Sequence, residues 1–172
     1  EEMRMCLKQA LYSDTGIVGV RYPRGSDNSM YDKTNLNIDY THVNNGSNTL
    51  LITYGRIFNN LLSAQKMLEG KGIKCDTMKL TKIFPINQEV IEISKAYKNI
   101  FFFEESMQNG SISEKFTVKL FSQGYKGNIF TKTIESFVQQ ATVSSSLKKV
   151  GLDSVSMSET VLQELIKNGS KT

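Results

Sequence analysis

Two arginines three residues apart carry the most specific chemistry in this sequence. They lie in Arg21-Tyr22-Pro23-Arg24-Gly25, at the exit of a short apolar run, Ile17-Val18-Gly19-Val20. Proline fixes φ and has no amide to donate, so the chain must turn there out of any strand it has followed. Read as a strand reaching the edge of a sheet, the segment aims Arg21 and Arg24 at that edge. A guanidinium so placed has two uses. It grips a phosphate or carboxylate through two parallel hydrogen bonds, or it pairs with a structural carboxylate at a domain junction. A second candidate is Glu104-Glu105, which closes the apolar run Ile100-Phe101-Phe102-Phe103. Neighbours on a strand face opposite ways, so the two carboxyls do not share a proton while extended. One of them instead suits the positive end of a helix beginning near Ser111.

The remaining reactive residue types are few. His42 is the one histidine and lies in a polar stretch, where it reads as a surface or turn residue. One histidine excludes a multi-histidine metal site within this chain. Cys6 and Cys75 are far apart and form no CxxC, which excludes a disulfide framework and a thiolate zinc site and makes reduced, cytoplasmic thiols the expectation. Neither GxGxxG nor GxxxxGK[ST] occurs. Gly70-Lys71-Gly72 falls between a helix and a strand, the order of a helix C-cap and not of a phosphate turn. The charge is +4 with pI near 9.0. Lys66, Lys71, Lys74, Lys79, Lys82, Lys95 and Lys98 are spread along the chain as a solvated surface would have them, whereas nucleic-acid binders cluster charge on one face. No apolar run approaches the 18 or so residues of a membrane span. Neither nucleic acid nor membrane is expected as a partner.

The elements that would position these residues fall into three zones. Residues 2–12 have apolar positions at helical spacing, and 17–22 read as a short buried-type strand, so 1–25 looks like the end of an α/β domain. Residues 26–47 are crowded with Asn, Asp, Ser and Gly, the chemistry of a linker, with room for a weak strand at 38–43. From 48 to 172, strands and helices alternate. Strands are predicted at 49–54, 73–80, 99–103 and 128–131, and helices at 57–69, 89–97, 112–121, 144–150 and 158–167. Continuously apolar strands alternating with helices predict an α/β fold, a three-layer α/β/α domain with a mainly parallel sheet covered on both faces. Ligands of such sheets gather beyond the C-terminal strand ends, here Tyr54-Gly55, residues 81–85 and residues 104–110. The N-terminal residues show neither a signal peptide nor a start methionine, and read as a cut inside a longer protein.

Several segments resemble one family. Val20-Arg21-Tyr22-Pro23-Arg24-Gly25, Leu51-Ile52-Thr53-Tyr54-Gly55, the stretch Phe84-Pro85-Ile86-Asn87-Gln88-Glu89-Val90-Ile91, Phe103-Glu104-Glu105-Ser106, Phe137-Val138 and Gly151-Leu152-Asp153 follow in the order found in the C-terminal third of 1-deoxy-D-xylulose-5-phosphate synthases. These are thiamine-diphosphate enzymes of the transketolase superfamily. The sequence departs from the family where a Gly-Gly-x-Gly turn is usual and Gln108-Asn109-Gly110-Ser111-Ile112 stands instead, and Asn87 replaces an expected Asp.

The resemblance implies a transketolase-like C-terminal domain preceded by the tail of a pyrimidine-binding catalytic domain. It implies a homodimeric, cytoplasmic transferase that condenses pyruvate with glyceraldehyde 3-phosphate, making a precursor of isoprenoids and thiamine. Arg21 would bind the phosphate of the acceptor, with Arg24 on the same rim. No catalytic residue, thiamine diphosphate or Mg²⁺ site is expected within these residues, because in the family those groups lie N-terminal to them; the piece alone would be inactive and would serve assembly. Two other readings remain at this stage: the C-terminal domain of a transketolase or of a 2-oxo acid dehydrogenase beta subunit, and a non-catalytic interaction module.

Overall fold

The computed structural model describes residues 2–12, 16–23 and 39–169. Five strands form one sheet in the order β1-β3-β2-β4-β5. They are β1 (Tyr40–Val43), β2 (Thr49–Tyr54), β3 (Asp76–Leu80), β4 (Asn99–Met107) and β5 (Asn128–Ile134). β3, β2, β4 and β5 run parallel, and β1 is added antiparallel to the outer side of β3, with His42 opposite Met78. The α/β/α fold class read from the sequence is the one observed. The weak strand expected at 38–43 is β1.

The helices are α1 (Glu2–Tyr12), α2 (Phe58–Glu69), α3 (Gln88–Ser94), α4 (Ile112–Ser122), α5 (Val143–Lys149) and α6 (Ser154–Lys167). Two apolar layers enclose the sheet. On one face Leu50, Ile52, Met78, Ile100 and Phe102 pack against Val90 and Ile91 of α3 and Phe116 and Leu120 of α4. On the other, Leu51, Phe101 and Phe103 meet Leu61 and Leu68 of α2 and Met157, Val161 and Leu165 of α6. The near-continuous apolar runs of β2 and β4 follow from this two-sided burial: alternate residues serve opposite layers, and neither face can be polar.

Local rules set the helix ends. Asn87 caps α3 by accepting from the amide of Glu89, and Ser111 caps α4 by accepting from that of Glu114. Asn87 also donates through Nδ2 to Asp39 at 3.0 Å, which an aspartate at that position could not do while ionised. The turn before α4 manages with one glycine in the left-handed region, Gly110 at φ +76°, whose amide is taken by Glu114. At the other end of the sheet, Gly127 is required by space: a Cβ there would lie 2.6 Å from the carbonyl oxygen of Lys98, which already accepts from Asn128.

Several expectations need correction. Residues 17–22 form no strand. Ile17 is fully exposed and Tyr22 is 69% exposed, because no neighbouring strand lies beside them to take up their backbone hydrogen bonds. β4 runs past Glu104-Glu105 to Met107, since both carboxylates find partners and the pairing with β5 resumes at Met107–Ile134 after a register shift. α6 begins at Ser154, four residues before the expected start, because Asp153 is the capping residue. Thr142, and not the serine run after it, caps α5.

Candidate functional site at the C-terminal edge of the sheet

β2, β3 and β4 end side by side, and their last residues bring four ionisable groups together. Glu104 is buried at 1% exposure, yet its carboxylate has three donors. The Tyr54 hydroxyl donates to Oε1 at 2.7 Å, and the amides of Ile112 and Ser113 donate at 2.9 and 2.8 Å. The first turn of α4 thus meets an internal anion where its amides and dipole favour one. Of the two carboxyls proposed to serve that helix, Glu104 does so. Glu105 faces the other way and takes both the Nε of Arg56, at 2.9 Å, and its terminal NH₂. Burial, reinforced by the Glu104 carboxylate, pushes the Tyr54 phenol well above its ordinary pKa.

Arg21 lies in this neighbourhood. Its charge acts on the Tyr54 phenol, opposing the effect of Glu104. The guanidinium belongs to an exposed residue, and among the described residues no hydrogen bond or ion pair ties it down. The neighbouring carboxylates are already engaged, Glu104 by α4 and Tyr54, Glu105 by Arg56. Of the two uses open to Arg21 from sequence, the structural ion pair at this edge is made by Arg56 instead. Arg24 lies outside the described residues.

A residue that the sequence reading placed on the surface belongs here too. The side chain of Lys79, on β3, is 3% exposed, and its ammonium meets both Glu2 carboxylate oxygens at 2.7 Å. It also lies 5.6 Å from the centre of the Phe58 ring. The Thr81 hydroxyl donates to Glu2 as well, at 3.2 Å. The first turn of α1 is therefore held on the end of β3. A signal for this was present: a lysine between Met78 and Leu80, inside a strand of buried type, needs a partner for its charge. Cys6, one turn along α1, has its thiol pKa raised by burial and by Glu2, with Lys79 acting against them.

The opposite edge of the sheet holds the histidine. His42 is half-buried on β1 and not a free surface residue. Its Nε2 is 2.7 Å from the Tyr97 hydroxyl, which donates to the buried carboxylate of Asp76, also at 2.7 Å. The hydroxyl has one hydrogen, so the imidazole N–H donates to the Tyr97 oxygen; this assigns the tautomer from the bonding network. The amides of Asn45 and Ser47 donate to the other Asp76 oxygen. Burial lowers the His42 pKa, and Asp76 partly offsets this. An open cavity of about 340 Å³ lies near this end, lined by Asn45, Glu69, Gly72 and Lys74, and holds no nucleophile. Cys75 is buried, and its thiol pKa is pushed up to about 12 by burial and by Asp76 and Glu69.

Residues 40–157 match the family model for the transketolase C-terminal domain. The chain belongs to that family. The synthase of Clostridium beijerinckii is 27% identical over 168 residues, which cover 95% of this chain and 27% of that protein; it is named 1-deoxy-D-xylulose-5-phosphate synthase. Proteins of the same name from Chlorobium luteolum and Helicobacter pylori are 25% and 21% identical, over 94% and 96% of this chain. The chain spans about a quarter of the length of these curated relatives. Among solved structures, a split-gene transketolase described as an inactive beta4 tetramer superposes with TM-score 0.66 at 21% identity, over 74% of this chain and 42% of that one. A transketolase from Pichia stipitis superposes with TM-score 0.57 at 15% identity, over 78% of this chain and 19% of that one. At such identities the structures speak for the fold.

The described residues of this transketolase C-terminal domain do not fit a thiamine diphosphate site. Glu104 already fills the α4 amides that a diphosphate would need, and among the described residues no three of His, Cys, Asp and Glu come together to hold a metal ion. No helix of the described residues is long and apolar enough to cross a membrane.

Proposed function

We propose that the chain is the C-terminal part of a 1-deoxy-D-xylulose-5-phosphate synthase, a transferase that joins pyruvate to glyceraldehyde 3-phosphate. In this reading Arg21, with Arg24 beside it, binds the phosphate of the aldehyde. Thiamine diphosphate and Mg²⁺ are held by polypeptide outside this chain. The α/β domain buttresses a cytoplasmic homodimer and is inactive by itself. The order of motifs shared with synthases over nearly the whole chain supports this reading, and the self-satisfied carboxylates at the sheet edge support a domain that assembles more than it catalyses. The observation that carries it is Arg21: exposed, beside Tyr54, and left uncommitted by carboxylates that have other donors.

The test is kinetic, on the enzyme assembled with the polypeptide that supplies the cofactor site. Arg21→Ala should raise KM for glyceraldehyde 3-phosphate by about 100-fold, the loss of a charge-assisted bidentate contact, and leave that for pyruvate within a factor of two. An unchanged KM for the aldehyde would refute the assignment. Calorimetry of the 172 residues with thiamine diphosphate and Mg²⁺ should give no binding heat.

A further inference from the structure

We infer that Lys79 is a positioning residue: it latches the first turn of α1 to β3 and thereby holds the segment bearing Arg21 across the C-terminal edge of the sheet. The inference rests on the phosphate-binding role proposed for Arg21, and extends it to a residue 58 positions away that touches no substrate.

The geometry points to a latch because α1 has little else to hold it. None of its residues is fully buried. Met3 and Leu7 are 48% and 40% exposed, and Leu11 and Tyr12 are exposed further. Apolar burial, the usual anchor of a surface helix, is therefore weak here. The polar attachment is concentrated at one point, the Glu2 carboxylate on Lys79 and Thr81. A buried ammonium demands a counter-charge far more strongly than an exposed one, so the grip is strong for a single pair.

The same point governs Arg21. Lys79 and Leu80 lie opposite Thr53 and Tyr54 in the parallel pairing of β3 with β2. The two attachments of the N-terminal segment, Glu2 on Lys79 and Arg21 near Tyr54, thus fall on adjacent strand ends about 5 Å apart. α1 with its 11 residues runs about 16 Å, and the extended stretch from 17 to 21 covers roughly the same distance. The segment leaves the sheet edge and returns to it. Releasing the first end lets the second drift, and a guanidinium displaced by 1 Å loses the bidentate geometry that a phosphate needs.

Cys6 reports on the latch. It sits one turn from Glu2, and the other cysteine, Cys75, is buried. The test measures the alkylation rate of Cys6 by iodoacetamide in the wild type, in Glu2→Gln and in Lys79→Met. Simple electrostatics predicts opposite effects. Removing the Glu2 charge lowers the thiol pKa and speeds the reaction, whereas removing the Lys79 charge raises it and slows the reaction. An opened latch predicts that both variants react at least 10-fold faster. Glu2 is a quarter exposed, so Glu2→Gln reads the latch even if Lys79→Met fails to fold.

The second readout is steady-state kinetics of the assembled enzyme. Both variants should raise KM for glyceraldehyde 3-phosphate at least 5-fold, with kcat and KM for pyruvate little changed, and Lys79→Arg should restore it. A Cys6 rate that rises in Glu2→Gln but falls in Lys79→Met overturns the latch. A faster Cys6 with an unmoved KM for the aldehyde overturns the positioning role and leaves the reading of Arg21 to stand or fall on Arg21→Ala.

Discussion

At Tyr97 a single hydrogen joins a buried carboxylate to a half-buried imidazole. Tyr97→Phe keeps the ring and removes the hydroxyl, so Asp76 keeps its two backbone donors and loses the third, and His42 loses its acceptor. Stripping one hydrogen bond from a buried charged group costs about 1.5–3 kcal/mol, which urea denaturation should show as a lower midpoint at unchanged slope. The histidine adds a pH dependence. Burial holds its folded pKa below the ordinary value near 6.5, so the neutral ring is the form the fold prefers. Its contribution to stability is fully present above the unfolded pKa and is lost as the pH falls through the lowered folded value. Denaturation midpoints measured from pH 7.5 down to 5 should fall, and those of His42→Gln should fall less. Little of this was legible beforehand. His42 stands in a stretch rich in Asn and Gly, and nothing in the spacing of residues 42, 76 and 97 connects them; antiparallel addition of β1 to β3 does so. Arg21 was legible as chemistry because its pentapeptide is distinctive, while its geometry was misjudged, since a strand needs neighbours that these residues lack.

Among the elements, α4 shows how the edge of the sheet is held. Its first amides are bonded by a side chain of the strand that precedes it, so β4 and α4 are joined at the turn as well as through Phe102 and Phe116, whose rings lie 5.4 Å apart. Glu104→Gln should cost about 2–4 kcal/mol in thermal or urea unfolding, because the amide replaces one acceptor oxygen by a donor that opposes the helix N–H groups and removes the charge the dipole favours. The element pattern itself was readable. Strands and helices came out nearly where apolar period and glycines put them, because buried parallel strands leave few alternatives. The ends were read less well where a side chain determines them: Glu104 and Glu105 looked like a stop signal to β4, and Asp153 was not recognised as the cap of α6.

On the scale of the whole molecule, the α/β body and the N-terminal segment are unequal partners. Both apolar layers are assembled from β1 onward, and α1 adds no fully buried residue to either. A chain beginning at Asp39 should therefore still unfold in one cooperative transition, observable by calorimetry. It should do so about 2–3 kcal/mol less stably, because a carboxylate has been taken from a buried ammonium, somewhat less than for a fully enclosed pair since Glu2 is partly exposed. Lys79→Met in the shortened chain should recover part of that loss.

β5 ends the parallel side of the sheet, and the middle of its sequence, Asn-Ile-Phe-Thr-Lys-Thr-Ile, is interrupted by Lys132. The lysine stem lies over Gly151, close enough that a methyl group there would touch it, and its ammonium is 3.8 Å from Glu135. An outer strand without such a cation would offer seven β-prone residues as a template for amyloid growth. Lys132 is in effect a gatekeeper, and the solubility of the domain at high concentration depends on a residue that contributes nothing to its chemistry.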